Sequence, residues 1–178
     1  MPGDGTRREW GWHPLSDDWA ERVVTGSGVR AGELVLDLGA GHGALTRHLV
    51  AAGARVVAVE LHPGRARALR DRFADAAVTV VETDLAAVRL PRRPFRVVAN
   101  PPFGLTTPLV RRLLEPGSAL VAADLVVQRQ AARRIAAGEG SAGRRARRWA
   151  VDVGSPLPRR AFRPPPRVDA AVLRVRRR

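Results

Sequence analysis

The sequence predicts an α/β domain built on a doubly wound, mostly parallel sheet. Short apolar runs alternate with stretches of helical periodicity along most of the chain. The first run passes directly into a glycine-rich turn. Acids, and then an Asn-Pro-Pro-Phe segment, close the next three runs. In open α/β sheets ligands bind just outside the carboxyl ends of the strands, so those positions are where chemistry is expected.

Residues 19–26 read as a helix whose apolar positions share one face, ended by Gly26 and Gly28. Residues 33–38, ELVLDL, are apolar without alternation, the pattern of a strand buried on both faces. The turn at 39–43 leads into a helix at 44–52 that closes at Gly53. Strands follow at 55–60 and 78–82, separated by a helix at 63–73 with Pro63 in its first turn. A fourth strand at 95–99 is stopped by Pro101 and Pro102. A helix at 107–114, a fifth strand at 120–127 and a helix at 128–137 complete the alternation. Residues 138–143 read as a mobile loop. Residues 149–153 and 170–175 read as a closing strand pair around a proline-rich connection. No internal repeat is visible, and 178 residues suit one domain spanning 1–178, with a helical N-terminal part at 1–30 and an Arg-rich part at 129–178.

Composition narrows the chemistry. There is no cysteine, which excludes disulfides, thiolate zinc sites and cysteine nucleophiles. All 31 basic residues are arginine, so no lysine can form a Schiff base. The four histidines have no metal-ligand spacing, and no metal is expected. No apolar run reaches the roughly 20 residues of a membrane helix. The start is polar and lacks a secretory apolar segment, so a cytoplasmic monomer without membrane contact is expected. Formal net charge is +14, and its distribution is uneven. Residues 129–178 hold 15 arginines against three acids. Such a segment suits a polyanion, and RNA affinity that falls steeply with salt is expected from it.

The strand ends suggest a nucleoside-type cofactor. Gly39 and Gly41 allow a tight turn and close backbone approach. Glu60, 23 positions beyond Asp37, can accept two ribose hydroxyls. Asp84 can accept from an adenine amine, or serve as the N-cap of a helix that starts at Leu85. Asn100-Pro101-Pro102-Phe103 is the most specific element. A planar exocyclic amine is a poor nucleophile because its lone pair is delocalised into the ring. The Asn100 side-chain oxygen and the Pro101 carbonyl can each accept one N–H, which favours a pyramidal nitrogen aimed at an electrophile. The prolines stiffen that backbone, and Phe103 offers a stacking face for an extruded base. On this segment alone, guanine N2 and protein side-chain acceptors remain open, as does an Arg-rich RNA-binding module whose cofactor pocket has decayed.

The joint pattern is similar to class I S-adenosylmethionine-dependent methyltransferases acting on planar nitrogens, with a Rossmann-like, mostly parallel seven-stranded sheet. Two further segments, WGWHPL at 10–15 and FRPPPRVDAAV at 162–172, resemble the Erm group of 23S rRNA adenine N6-methyltransferases, relatives of the 16S rRNA adenine dimethyltransferases. The sequence is closest to the short actinobacterial type, which lacks the helical C-terminal domain of longer members; a relaxed choice of target adenine is expected of it. The resemblance implies S-adenosylmethionine as cofactor and 23S rRNA, free or in a pre-ribosomal particle, as partner. It implies cofactor contacts from His13, Leu15, Gly39, Gly41, Glu60, Asp84 and Asn100. Asn100, Pro101 and Phe103 would act on the amine and its base, with Phe103 and Phe162 flanking the flipped adenine. Phe162, Arg144, Arg145, Arg147, Arg148, Arg163 and Arg167 would contact RNA. The modification it implies blocks macrolide, lincosamide and streptogramin B binding. Trp12 and Trp19 are expected to pin the N-terminal segment to the core.

Overall fold

A computed structural model describes residues 13–178; Trp10 and Trp12 lie outside the described residues. The elements, in order, are α1 (Asp17–Ser27), β1 (Leu34–Leu38), α2 (Ala44–Ala51), β2 (Arg55–Glu60), α3 (Pro63–Arg72) and β3 (Val78–Glu82). They continue as β4 (Phe95–Ala99), α4 (Thr106–Leu113), β5 (Leu120–Gln128), α5 (Arg129–Ala136), α6 (Gly140–Ala146), β6 (Ala150–Leu157) and β7 (Ala170–Arg176). The seven strands form one sheet in the order β3-β2-β1-β4-β5-β7-β6. β1 to β5 run parallel, and β7 enters antiparallel between β5 and β6.

The burial of β1 explains its unalternating run: all five residues are buried. Leu36 and Leu38 face α4, α5 and α6, packing with Val97, Leu109, Leu113, Leu125 and Ile135. Val35 faces the other way, with Ala20, Val24, Leu45 and Leu49 of α1 and α2. Burying both faces is what a parallel sheet between helical layers requires.

Two sequence expectations are corrected. Residues 138–143 are not a mobile loop, because α6 begins at Gly140. The small residues permit close packing there: a Cβ on Gly143 would lie 2.5 Å from the Gly138 carbonyl carbon. Ala142 and Ala146 are buried on the same helix. The closing strand expected at 149–153 instead runs from Ala150 to Leu157. Its register shifts between Val153 and Pro156, which lets a proline sit in this edge strand. Trp19 behaves as expected, packing partly buried against the α1–α2 cluster, with the Arg22 guanidinium 4.8 Å over its ring.

Gly43, missed as more than part of a turn, is demanded by packing. Its φ is +86°, and an added Cβ would lie 2.9 Å from Leu69 Cδ2 and Phe73 Cε2. Gly28 has φ +68° with nothing within 4 Å of such a Cβ. Gly43→Ala is therefore expected to cost about 3 kcal/mol, left-handed backbone plus overpacking. Gly28→Ala should cost about 1 kcal/mol, from the backbone alone. At ~2–4 °C per kcal/mol, thermal unfolding separates the two. Equal shifts would contradict the packing account.

Candidate active site

The strand ends converge as the topology rule requires. β1 delivers the turn Gly39–Gly43, β2 delivers Glu60, the segment after β3 delivers Asp84, and β4 delivers Asn100. Gly39, Gly41 and Gly43 have φ of 82°, 59° and 86°. The Gly39 and Ala40 amides both donate to the Val59 carbonyl at 2.9 Å, which ties the turn to β2. Gly39 is also crowded by the neighbouring segment, since its Cβ would meet Pro102 Cδ at 3.5 Å and Pro101 Cα at 3.6 Å.

Glu60 is buried and organises this turn. Its Oε2 accepts the Gly41 amide at 2.8 Å, and its Oε1 accepts the His62 amide at 2.9 Å. Arg65, from the first turn of α3, donates Nε to Oε1 at 3.0 Å, and its Nη2 lies 3.0 Å from the same oxygen. The sequence pointed to the acid but not to this arginine, five positions on; its signal was an arginine one helical turn past the strand-end acid.

No helix follows Asp84, so the helix N-cap allowed from sequence is corrected: the side chain holds a turn at 85–87 instead. Its Oδ1 accepts the Ala86 amide at 2.8 Å, and Oδ2 remains open. Arg112 of α4 then fixes the following loop by donating to the Ala86 and Val88 carbonyls. Arg112 was not singled out from sequence, because nothing local marks a long-range backbone clamp.

Asn100 is 7% exposed, and its Nδ2 donates to the His13 carbonyl at 2.7 Å. That bond sets the amide rotamer and leaves Oδ1 as the outward acceptor. His13 is held in turn by the chain's other end. Its Nδ1 lies 3.0 Å from the Pro164 carbonyl. Leu15 pairs with Phe162 in an antiparallel bridge, Ser16 N–H donates to the Ala161 carbonyl, and Arg163 N–H donates to the Pro14 carbonyl. Residues 13–16 and 161–164 thus form one wall beside Asn100.

Phe103 and Phe162 meet in that wall, but not as two faces of a slot. Their centroids are 6.2 Å apart at an interplanar angle of 81°, and Phe162 is 1% exposed. The His13 ring packs against both, with centroids at 5.7 and 6.4 Å. Phe162 is core support for Phe103 and His13 in this arrangement rather than one side of a base sandwich. Arg163 and Arg167 are exposed on the same stretch. Arg144, Arg145 and Arg148 are elsewhere, at the amino ends of the parallel strands, and the Arg147 guanidinium turns inward to the Gly138 carbonyl.

Asp37 is the residue whose role the sequence did not reveal. It sits fully buried as the penultimate residue of β1, two residues before the turn. The Thr46 hydroxyl donates to Oδ2 at 2.7 Å, and Oδ1 is buried with no hydrogen-bond partner. Burial pushes its pKa from 3.8 to about 7; the Thr46 hydrogen bonds oppose the rise, and the Glu60 charge adds to it. The folded state therefore holds a proton that the unfolded chain releases above about pH 4. Stability is expected to fall as pH rises from ~4 to ~7 and to level off above. Asp124 is also raised by burial, so Asp37→Asn isolates the effect. Urea midpoints of wild type and Asp37→Asn should diverge between pH 5 and 8, the variant gaining; parallel profiles would refute it.

Among the described residues no cluster of His, Asp or Glu is arranged as a metal site, and no helix is long and apolar enough to cross a membrane.

The strand order, with its antiparallel β7, and the glycine turn beside a strand-end acid define a Rossmann-like methyltransferase fold. Comparison with known proteins narrows this further. The chain belongs to the ribosomal RNA adenine dimethylase family, whose model matches residues 7–178. It is 38% identical over 99% of its length to the mycinamicin-resistance protein MyrB of Micromonospora griseorubida, covering 58% of that protein. It is 35% identical to ribosomal RNA small subunit methyltransferase A of Synechococcus sp. (strain JA-3-3Ab), over 95% of this chain and 66% of the relative. The crystal structure of the 23S rRNA methyltransferase ErmE superposes with a TM-score of 0.83 at 30% identity, covering 92% of this chain and 69% of that one. The chain spans 45% to 68% of the length of the curated relatives it matches.

Proposed function

We propose that the chain transfers a methyl group from S-adenosylmethionine to the N6 amine of an adenine in 23S rRNA, and so confers resistance to macrolides, lincosamides and streptogramin B. The observation that carries this is Asn100: a buried amide whose N–H is tied to the His13 carbonyl, leaving its oxygen to accept from an amine. The likeness to the 23S rRNA methyltransferase ErmE, at 30% identity and a TM-score of 0.83, supports a 23S substrate, and the relatives named small subunit methyltransferase A make 16S rRNA the alternative to test.

The residues fit the cofactor. Glu60 has the buried carboxylate a ribose needs, Asp84 keeps one oxygen open, and the orphaned Asp37 Oδ1 beside the glycine turn suits a cationic group. When bound, the cofactor supplies a sulfonium-activated methyl for in-line displacement. Asn100 Oδ1 and the Pro101 carbonyl accept the amine's two protons in hydrogen bonds, turning its lone pair toward the methyl. The half-buried His13 ring and the small part of Phe103 left open, 9% of that residue, would take the extruded base, with Phe162 behind them. Arg163 and Arg167 flank this end with positive charge for the adjacent phosphates. No general base acts first, because the proton leaves after attack.

Nucleoside mass spectrometry on 23S and 16S rRNA, each incubated with the protein and labelled S-adenosylmethionine, tests the proposal. N6-methyladenosine or its dimethyl form in 23S rRNA is expected. Label only in 16S rRNA would reassign the substrate, and labelled N2-methylguanosine or labelled protein would overturn the adenine reading.

A further inference from the structure

Six arginines converge on a groove at the end of the sheet opposite Asn100. Arg111 lies in the last turn of α4, Arg144 and Arg145 in the last turn of α6, and Arg148 just beyond it; Arg177 and Arg178 follow β7. With Ser118, Ser141 and Trp149 they line a cavity of about 660 Å³. Glu115 is the only acid among its lining residues. Arg177 is a built part of the wall. It covers the buried Trp149 ring at 4.9 Å and donates to the Leu120 carbonyl at 2.8 and 3.0 Å and to the Ser118 carbonyl at 2.6 Å. None of the other five forms an ion pair among the described residues, although Arg134, Arg159, Arg174 and Arg176 nearby in sequence all do.

Helix-end dipoles accommodate arginine in a last turn, which accounts for Arg111, Arg144 and Arg145 one at a time. They do not account for six cations gathered around one concave surface with a single acid. Unpaired like charges repel, so such a groove is at its most favourable when an anion fills it. It belongs to a separate surface from Arg163 and Arg167. Ala99 is level with Leu125 across the sheet, while Leu120 is at the groove. At ~3.3 Å per residue, the groove is on the order of 20 Å from Asn100 along β5.

We propose that this groove is a second RNA contact, gripping the phosphate backbone of the stem that flanks the target adenine. The inference rests on RNA being the substrate. Its consequence is a length requirement: only an RNA reaching about 20 Å past the active site engages both surfaces.

Two hairpins with the same loop test it, one with a stem of about 16 base pairs and one of about five. Arg144→Glu with Arg148→Glu changes exposed positions, and thermal unfolding checks that the fold is kept. The double variant should bind the long hairpin at least tenfold more weakly and flatten its salt dependence by about two phosphate contacts. Binding of the short hairpin should be unchanged, and with the long hairpin KM should rise at constant kcat. Arg144→Lys with Arg148→Lys should retain most of the affinity. Unchanged affinity for the long hairpin would overturn the inference and leave the groove to a protein partner; equal losses on both hairpins would overturn it too. Binding is read without methylation, so a wild-type chain that labels no RNA defeats the substrate proposal alone.

Discussion

Asn100→Ala is expected to cut methyl transfer about a hundred- to a thousandfold, the loss typical of a preorganised polar group aimed at the reacting centre. Cofactor affinity should stay within about tenfold, because Glu60, Asp84 and the glycine turn are untouched. The reason is in the two ends of one amide. Nδ2 is bound to the His13 carbonyl at 2.7 Å, so Oδ1 is presented in a fixed direction from a buried side chain. Asn100→Asp sharpens the test. It keeps an acceptor but loses the donor, and would put a carboxylate oxygen against the His13 carbonyl. It is expected to fail nearly as badly and to loosen residues 13–16 from the site. Single-turnover rates and cofactor titrations of both variants decide it. An Asn100→Ala protein that turns over normally would remove the residue from the reaction.

Glu60→Gln is expected to weaken S-adenosylmethionine binding by about 10–100-fold with much less change in the rate at saturation, the signature of lost binding that is equal in ground and transition states. The carboxylate accepts from three N–H groups, those of Gly41, His62 and Arg65 Nε, and Arg65 Nη2 lies within ion-pair distance. A carboxamide turns one oxygen into a donor. Facing Gly41 it opposes an amide N–H; facing Arg65 it opposes a guanidinium. Either way a buried donor loses its partner, and one ribose acceptor is gone. Arg65→Ala should weaken binding less, since Gly41 and His62 still hold the acid. Isothermal titration of the three proteins checks the order. Equal affinity for wild type and Glu60→Gln would place the ribose elsewhere.

The sheet was readable because β1, β2, β4 and β5 are apolar runs buried on both faces, a pattern that needs no tertiary information. The site residues after those strands were readable for the same reason, since strand ends and ligand positions coincide in this fold class. The failures share a cause. α6 is a seven-residue helix whose first four residues are glycine, serine, alanine and glycine, held by contact with Gly138 rather than by propensity, so its composition looked like a loop. β6 carries a proline past an irregular register, which only an edge strand tolerates. Asp37 looked like a strand residue because its missing partner is a property of the folded interior. The arginines of 129–178 looked like one surface because sequence cannot show that α6 and the connection between β6 and β7 place them at opposite ends of the sheet.

The position of β7 bears on how the chain is made. Its last strand is an interior one, paired with β5 on one side and β6 on the other. A nascent chain emerging from the ribosome can assemble β1 to β5 in order of synthesis. β6 then has no neighbour to dock on until residues 170–176 follow it out. Until then β5 keeps an open edge, and Phe162 has no fixed place from which to hold His13. The side of the sheet that holds the glycine turn and Glu60 can thus form before residues 170–176 are in place, whereas the wall beside Asn100 cannot.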